Sequence, residues 1–281
     1  MGGMCRLFGF RSVLQSQVHR SLRSADNALA VQSREHPDGW GVAYYVAGSP
    51  HILKSTGTAG SDHLFERVSG LLTSDTVVAH VRRATQGALS TLNCHPFQHG
   101  RWVMAHNGDI PAFPEVRDAL VEQVAPKFRR FLLGDTDSEV VFHLFLGRLA
   151  ERVDLHRRGT PLDDVVCALR ETVEIVRGLA DGPDKRCLLT LMVTDGELLV
   201  AHQGGKDLCY STWKQRCPER ETCTFLGPTC EAPVTHRQHV NHLLVSSEPL
   251  LGENTWERLS EGEVVAVDPF MRFHRFAAVS P

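Results

Sequence analysis

Cys5 stands almost at the start of the chain, in Met4-Cys5-Arg6-Leu7-Phe8-Gly9-Phe10. A cysteine exposed as a first residue carries its own base, because an α-amino group titrates near pH ~8, close to the thiol itself. That amine takes the thiol proton directly or through a water, and no histidine is then needed. An initiator methionine is normally removed before a residue as small as cysteine, so synthesis from Met4 leaves Cys5 first. Otherwise Met1 to Met4 must be trimmed. Taken alone, the same residue reads as a buried cysteine in an apolar first strand, with Leu7, Phe8 and Phe10 around it.

Three further segments carry residues that a thiol nucleophile could use. They are His36-Pro-Asp-Gly-Trp-Gly-Val-Ala43, then Ala79-His-Val-Arg82-Arg83-Ala-Thr85-Gln86-Gly87 with Asn93-Cys-His95-Pro96, and His106-Asn107-Gly108-Asp109 with Gly134-Asp-Thr136-Asp137-Ser-Glu139. Hydrolysis of glutamine, or of another γ-glutamyl amide, needs two donors for the tetrahedral oxyanion. An Asn side-chain amide beside a Gly N–H supplies such a pair, as in Asn107-Gly108. A substrate α-carboxylate calls for a guanidinium, here Arg82, and an α-ammonium calls for a carboxylate, here Asp137. Each has a plainer reading: a turn for Asn-Gly, a solvated charge for Arg82, a helix cap for Asp137. What is specific is their order.

The elements that must position these groups can be read from apolar periodicity. Residues 39–45, 76–81 and 101–106 read as strands, and so do 243–246 and 263–267. Leu64, Phe65, Val68, Leu71 and Leu72 recur at helical spacing, as do Val140, Val141, Leu144, Phe145 and Leu149 within 138–153. A further helix is expected from Thr160 as cap and Pro161 in the first turn, ending near Gly178. Residues 188–193 and 197–201 form a hairpin around Asp195-Gly196, a dipeptide suited to a type I′ turn. Residues 206–241 are polar, cysteine-rich and aperiodic, an irregular excursion from the hairpin. Strands alternating with helices and then hairpins suit α+β layers better than a parallel sheet.

The bulk numbers exclude several classes. A chain of 281 residues with 42% hydrophobic and 22% charged content is an ordinary globular protein with a full core. A formal charge of -3 gives no footprint for nucleic acid or an acidic membrane. No apolar run approaches the ~20 residues of a membrane span, and no secretory leader is evident, so the cytoplasm is the expected location. Eight cysteines in such a chain are read as thiols rather than a disulfide framework. Cys209, Cys217, Cys223 and Cys230 are separated by seven, five and six residues, with His236, His239 and His242 nearby. That is unlike the Cys-x-x-Cys knuckles of zinc sites. Packed or paired cysteines are the reading, with metal binding left open. His95, His99 and His106 lack a His-Glu-x-x-His helix, so no catalytic metal and no cofactor is called for.

Together the segments resemble the class II glutamine amidotransferases. That family carries an initial cysteine, Ala-His-x-Arg-x-Ala-Thr-x-Gly, Asn-x-His-Pro, His-Asn-Gly and Thr-Asp-x-Glu, all present here in order over residues 5 to 139. His36-Pro-Asp-Gly-Trp-Gly41 and Ser246-Ser-Glu-Pro-Leu250 with Trp256 are closer to its stand-alone γ-glutamyl amidohydrolase branch. The resemblance implies a four-layer αββα sandwich of the N-terminal-nucleophile hydrolase type, as one domain over 5–281. It implies Cys5 as nucleophile, Asn107 and Gly108 as oxyanion hole, Arg82 and Asp137 on the substrate α-groups, and Thr85, Gln86 and His95 around the pocket. Arg83 and Gln86 depart from the Trp and His common in synthase-type members. The implied activity is cleavage of a small γ-glutamyl substrate. A glutaminase subunit feeding a separate synthase, a peptidase partner, and a non-catalytic ligand-binding subunit stay open, as does the oligomeric state. The mature protein is expected to begin at Cys5; N-terminal sequencing or intact mass showing Met1 or Gly2 on fully active enzyme contradicts this.

Overall fold

The computed structural model describes residues 5–18, 20–217, 230–233 and 239–278. Met1 to Met4, Cys223 and His236 lie outside the described residues. Among the described residues, thirteen strands form two antiparallel sheets. The first sheet has seven strands: β1 (Arg6–Gln17), β2 (Trp40–Val46), β3 (Ser49–Ser55), β4 (Thr73–Val81), β9 (Cys209–Ser211), β10 (His242–Ser246) and β11 (Glu257–Arg258). Their spatial order is β11-β9-β10-β1-β4-β2-β3, so β1 is central, between β10 and β4. The second has six, β5 (Phe97–His99), β6 (Trp102–Asp109), β7 (Leu188–Thr194), β8 (Leu199–His202), β12 (Val264–Val267) and β13 (Phe273–Phe276), in the order β13-β12-β8-β7-β6-β5.

Alternation along the strands divides the apolar residues into three layers of packing. Leu7, Val78, Val103, Ala105, Met192, Leu199, Val245 and Val265 face one another between the sheets. On the outer face of the first sheet, Phe8, Phe10, Val77 and Ala79 pack against Leu29 of α1 (Leu29–Gln32) and Phe65 of α2 (His63–Leu71). On the outer face of the second, Met104, Leu189, Leu191 and Val193 pack against α3 (Phe113–Gln123), α5 (Asp137–Ala150) and α6 (Leu162–Ala180), with short α4 (Pro126–Arg129) beside them. The result is the expected helix–sheet–sheet–helix sandwich.

Trp40 shows how one residue ties two layers. Its ring meets Phe65 edge-on at 5.0 Å, and its indole N–H donates to Asp62 Oδ2 at 2.9 Å. The same Asp62 carboxylate caps α2 by accepting from Leu64 N–H at 2.8 Å.

Two expectations differ. The N-cap of α6 is Pro161 with no side-chain cap, not Thr160, and the helix runs to Ala180. The hairpin turn is a four-residue loop between Thr194 and Leu199 rather than a two-residue type I′ turn. Asp195 Oδ1 accepts from the N–H groups of Glu197 and Leu198, and this side-chain turn replaces the left-handed pair. The excursion also contributes β9 and so carries the chain from the second sheet to the first.

Gly41 is required where β2 passes under the His95 segment: a Cβ there would lie 2.0 Å from His95 O, a backbone atom. Gly41→Ala is therefore expected to destabilise by roughly 1–3 kcal/mol through overpacking. Gly178→Ala, at an exposed position of α6 with nothing within 4 Å, should be neutral or stabilising by up to about 1 kcal/mol. Urea midpoints of the two variants check this; equal shifts contradict it.

Candidate active site

Cys5 immediately precedes β1, whose Arg6 pairs with Val81 at the end of β4. The chain continuing past Val81 therefore runs alongside Cys5. The Arg83 N–H donates to Cys5 Sγ at 3.2 Å, and Sγ lies 3.3 Å from Arg83 O as donor. Burial pushes the Cys5 thiol up to about 11, opposed by the Arg83 N–H and the Arg82 guanidinium and reinforced by Asp137. At neutral pH the thiol is thus protonated, and it needs a base within reach before it can attack anything.

Asn107 and Gly108 lie near the end of β6, opposite Thr190 and Leu189 of β7. Asn107 is 3% exposed; its Nδ2 lies 3.3 Å from Ser247 Oγ as donor, and its Oδ1 has no partner among the described residues. Ser247 follows β10 and also accepts from Leu7 N–H at 2.9 Å, while its own N–H donates to Leu7 O at 3.1 Å. One hydroxyl therefore joins the strand after the nucleophile to the amide on the opposite sheet. Gly108 admits no side chain, since a Cβ would lie 1.7 Å from Leu188 O. His106 is fixed beneath them: its Nε2–H donates to Leu188 O at 2.8 Å, and its Nδ1 meets Ser138 Oγ at 2.9 Å.

Asp137 is the first residue of α5, with Thr136 as the cap that accepts from Glu139 N–H. The cap of α5 is thus Thr136 and not Asp137. Its Oδ2 accepts from Ile110 N–H at 3.0 Å, and Oδ1 accepts from Ser138 N–H at 2.7 Å. Ser138 Oγ lies a further 3.0 Å from Oδ1, so Oδ2 is the oxygen that retains acceptor capacity.

Arg82 is buried and turns into its own loop. Its Nη2 donates to Gln86 O at 2.7 Å and Gly87 O at 3.4 Å, and its Nη1 donates to Ala88 O at 3.4 Å. Gln86 Nε2 donates to Asp109 Oδ1 at 3.2 Å, which closes the loop over the end of β6. Thr85 is solvent-exposed and lies outside this hydrogen-bonded group. Asn93, buried, ties the loop to the α5 entrance: Nδ2 donates to Ala88 O at 2.9 Å, and Oδ1 accepts from Asp135 N–H at 2.9 Å.

His95 lies against His80 at 4.3 Å with the rings tilted by 46°, and meets Phe97 edge-on at 4.9 Å. Burial lowers His36 to about 4, His80 to about 3, and His95 well below its ordinary value, so all three are neutral at pH 7. None of their ring nitrogens has a partner among the described residues. His95 is thus an interior residue of the site's wall. Cys209 lies in β9, and Cys217, Cys230 and buried His242 lie at a separate cavity on the outer face of the first sheet. Among the described residues, no three His, Cys, Asp or Glu side chains are grouped to hold a metal, every cysteine is a free thiol, and no helix is long and apolar enough to cross a membrane.

Sequence reasoning singled out neither Asn93 nor Ser247 as site residues. Both sit in quoted motifs, and the signal was a small polar side chain where an apolar strand or turn ends.

A cysteine heading the central strand of one sheet, with the next residue joined through Ser247 to a buried amide on the other, within αββα layers, defines an N-terminal-nucleophile glutamine amidotransferase fold. A sequence profile described as class-II glutamine amidotransferases matches residues 4–269, and the chain belongs to that family. "Probable glutamine amidotransferase DUG3" of Saccharomyces cerevisiae is 30% identical over 223 residues, 70% of this chain; the chain spans only 62% of that relative's length. The gamma-glutamyl-hercynylcysteine sulfoxide hydrolase of Mycobacterium tuberculosis is 32% identical over 117 residues, 38% of this chain and 50% of that protein. A glutamine aminotransferase class-II domain protein from Silicibacter pomeroyi matches in fold with a TM-score of 0.64, at 21% identity, over 98% of this chain and 100% of its own.

In a chain still carrying residues ahead of Cys5, the raised thiol predicts slow alkylation by iodoacetamide at pH 7.5. Its rate should climb about tenfold per pH unit towards pH 11, while exposed Cys167 labels readily throughout. Peptide mass spectrometry reads both sites; equal labelling at pH 7.5 contradicts the burial argument.

Proposed function

We propose that the protein hydrolyses the γ-glutamyl amide of a small free glutamyl compound through a thioester on Cys5, releasing glutamate. The observation that carries this reading is the placement of the Cys5 thiol beside the Arg83 backbone, with Arg82 and Asp137 both close enough to bias its titration in opposite senses. The γ-glutamyl hydrolase among the relatives supports the same substrate end.

Freed of preceding residues, the Cys5 α-amine takes the proton that burial keeps on the thiol. The thiolate attacks the side-chain carbonyl, and the oxyanion is met by Asn107 Nδ2–H and Gly108 N–H. Collapse expels the amine, which leaves protonated, and a water activated by the same α-amine then cleaves the thioester. Arg82 holds the substrate α-carboxylate. Either two-pronged face of a guanidinium uses Nη2, so binding exchanges its long contact to Gly87 O for a carboxylate oxygen. Asp137 Oδ2, with a lone pair to spare, accepts from the α-ammonium.

Cys5→Ala should abolish turnover yet keep ligand binding, whereas Asn107→Ala should lower kcat by roughly 10²–10³ with little change in KM. Steady-state glutamate release from L-glutamine and from a γ-glutamyl anilide reads both. A rise in KM alone for Asn107→Ala contradicts the oxyanion assignment. N-acetylglutamine should be a far poorer substrate than glutamine, since acetylation leaves Asp137 facing an amide instead of a cation. Comparable kcat/KM on the two removes Asp137 from that role.

A further inference from the structure

Two unmet hydrogen-bonding needs lie side by side where the sheets meet. Ser247 Oγ accepts from Leu7 N–H at 2.9 Å and lies 3.3 Å from Asn107 Nδ2, which makes it twice an acceptor. Among the described residues, its own hydroxyl hydrogen then meets no further acceptor. Asn107 Oδ1 is buried with no donor among the described residues. A buried acceptor and a hydroxyl donor left idle beside each other cost more than one satisfied pair. A half-turn of the Asn107 amide resolves both at once. Oδ1 then faces Ser247 and receives the hydroxyl hydrogen, the Leu7 N–H bond is kept, and Nδ2 takes the unpartnered position that Oδ1 vacates.

We infer that Ser247 is a positioning residue that holds the Asn107 amide by its oxygen and so presents Nδ2 as a buried, unspent donor. This rests on the oxyanion role proposed for Asn107. The serine is itself well placed to hold anything fixed. Its N–H donates to Leu7 O, and the preceding Ser246 pairs with Phe8 of β1. The following segment is pinned by Asn27, whose Nδ2 donates to Pro249 O at 2.8 Å and whose Oδ1 accepts from Leu251 N–H at 2.8 Å. The hydroxyl's orientation is set by the main-chain donor it must accept from. Leu7 N–H occupies one lone pair, and the O–H is left to point at the amide. A donor oriented before the oxyanion forms needs no reorganisation when charge develops, which is where such groups gain their effect.

Neutron diffraction of the deuterium-exchanged full chain tests the orientation without reference to activity. Two deuterons mark Nδ2 of Asn107 and one marks the Ser247 hydroxyl. The expected map has the hydroxyl deuteron pointing at Asn107 Oδ1, and a map with the amide deuterons pointing at Ser247 overturns the inference. Kinetics test its consequence. Ser247→Ala should lower kcat roughly 3- to 10-fold, one hydrogen bond's worth, with KM unchanged, and Ser247→Thr should restore most of it. In the Asn107→Ala background, Ser247→Ala should cost nothing further in kcat. Independent, multiplying losses would mean that Ser247 acts on the fold rather than on the amide, and would sink the idea. If Asn107→Ala itself leaves kcat intact, the oxyanion reading fails, and the neutron map still decides which atom faces Ser247.

Discussion

The start of β1 is gripped from three directions, and the site depends on that grip. Its Arg6 pairs with Val81 of β4 on one side, Leu7 donates its N–H to the Ser247 hydroxyl and accepts from the Ser247 N–H on the other, and Cys5 Sγ meets the Arg83 main chain. A residue so near a chain start would ordinarily fray, because terminal residues lose conformational freedom on ordering and gain few contacts in return. Placing it on the central strand of a seven-stranded sheet reverses this balance. The thiol inherits its position from the best-buttressed strand in the sheet.

Burial then fixes the chemistry. The same packing that orders Cys5 drives its thiol to about 11, so no useful thiolate exists at neutral pH without a local base. Nearby His36, His80 and His95 are lowered by burial and hold no charge there, which makes them wall rather than base. An α-amine attached to the cysteine itself, with an ordinary value near ~8, is suited to the task. Arg82 and Asp137 act on the thiol with opposite charge, as the proposed clamp on a free amino acid requires.

Much of this could be read from the chain because the relevant residues sit at element ends, where periodicity stops. Asn107-Gly108 closes β6, Arg82 follows β4, and Asp137 opens α5, each where the apolar pattern placed it. What escaped is non-local or depends on side-chain competition. Ser247 meets Asn107 across 140 positions of sequence, and Asn93 meets Asp135 across 42. No spacing rule reports such pairs. Asp195-Gly196 suggested a tight turn, but the Asp195 side chain bonded two main-chain N–H groups and opened a longer loop. Strand β9 is three residues inside a polar, aperiodic stretch, too short to leave an alternating signal.

The central claim is that the reaction passes through a covalent glutamyl thioester on a cysteine that heads its chain. Acid-quenching the enzyme during turnover of a γ-glutamyl anilide, followed by peptide mass spectrometry, tests it directly. The account predicts a γ-glutamyl adduct on a peptide whose first residue is Cys5, absent from Cys5→Ala. An adduct on another residue, or an adduct on Cys5 in an active chain that still carries Met4, contradicts it.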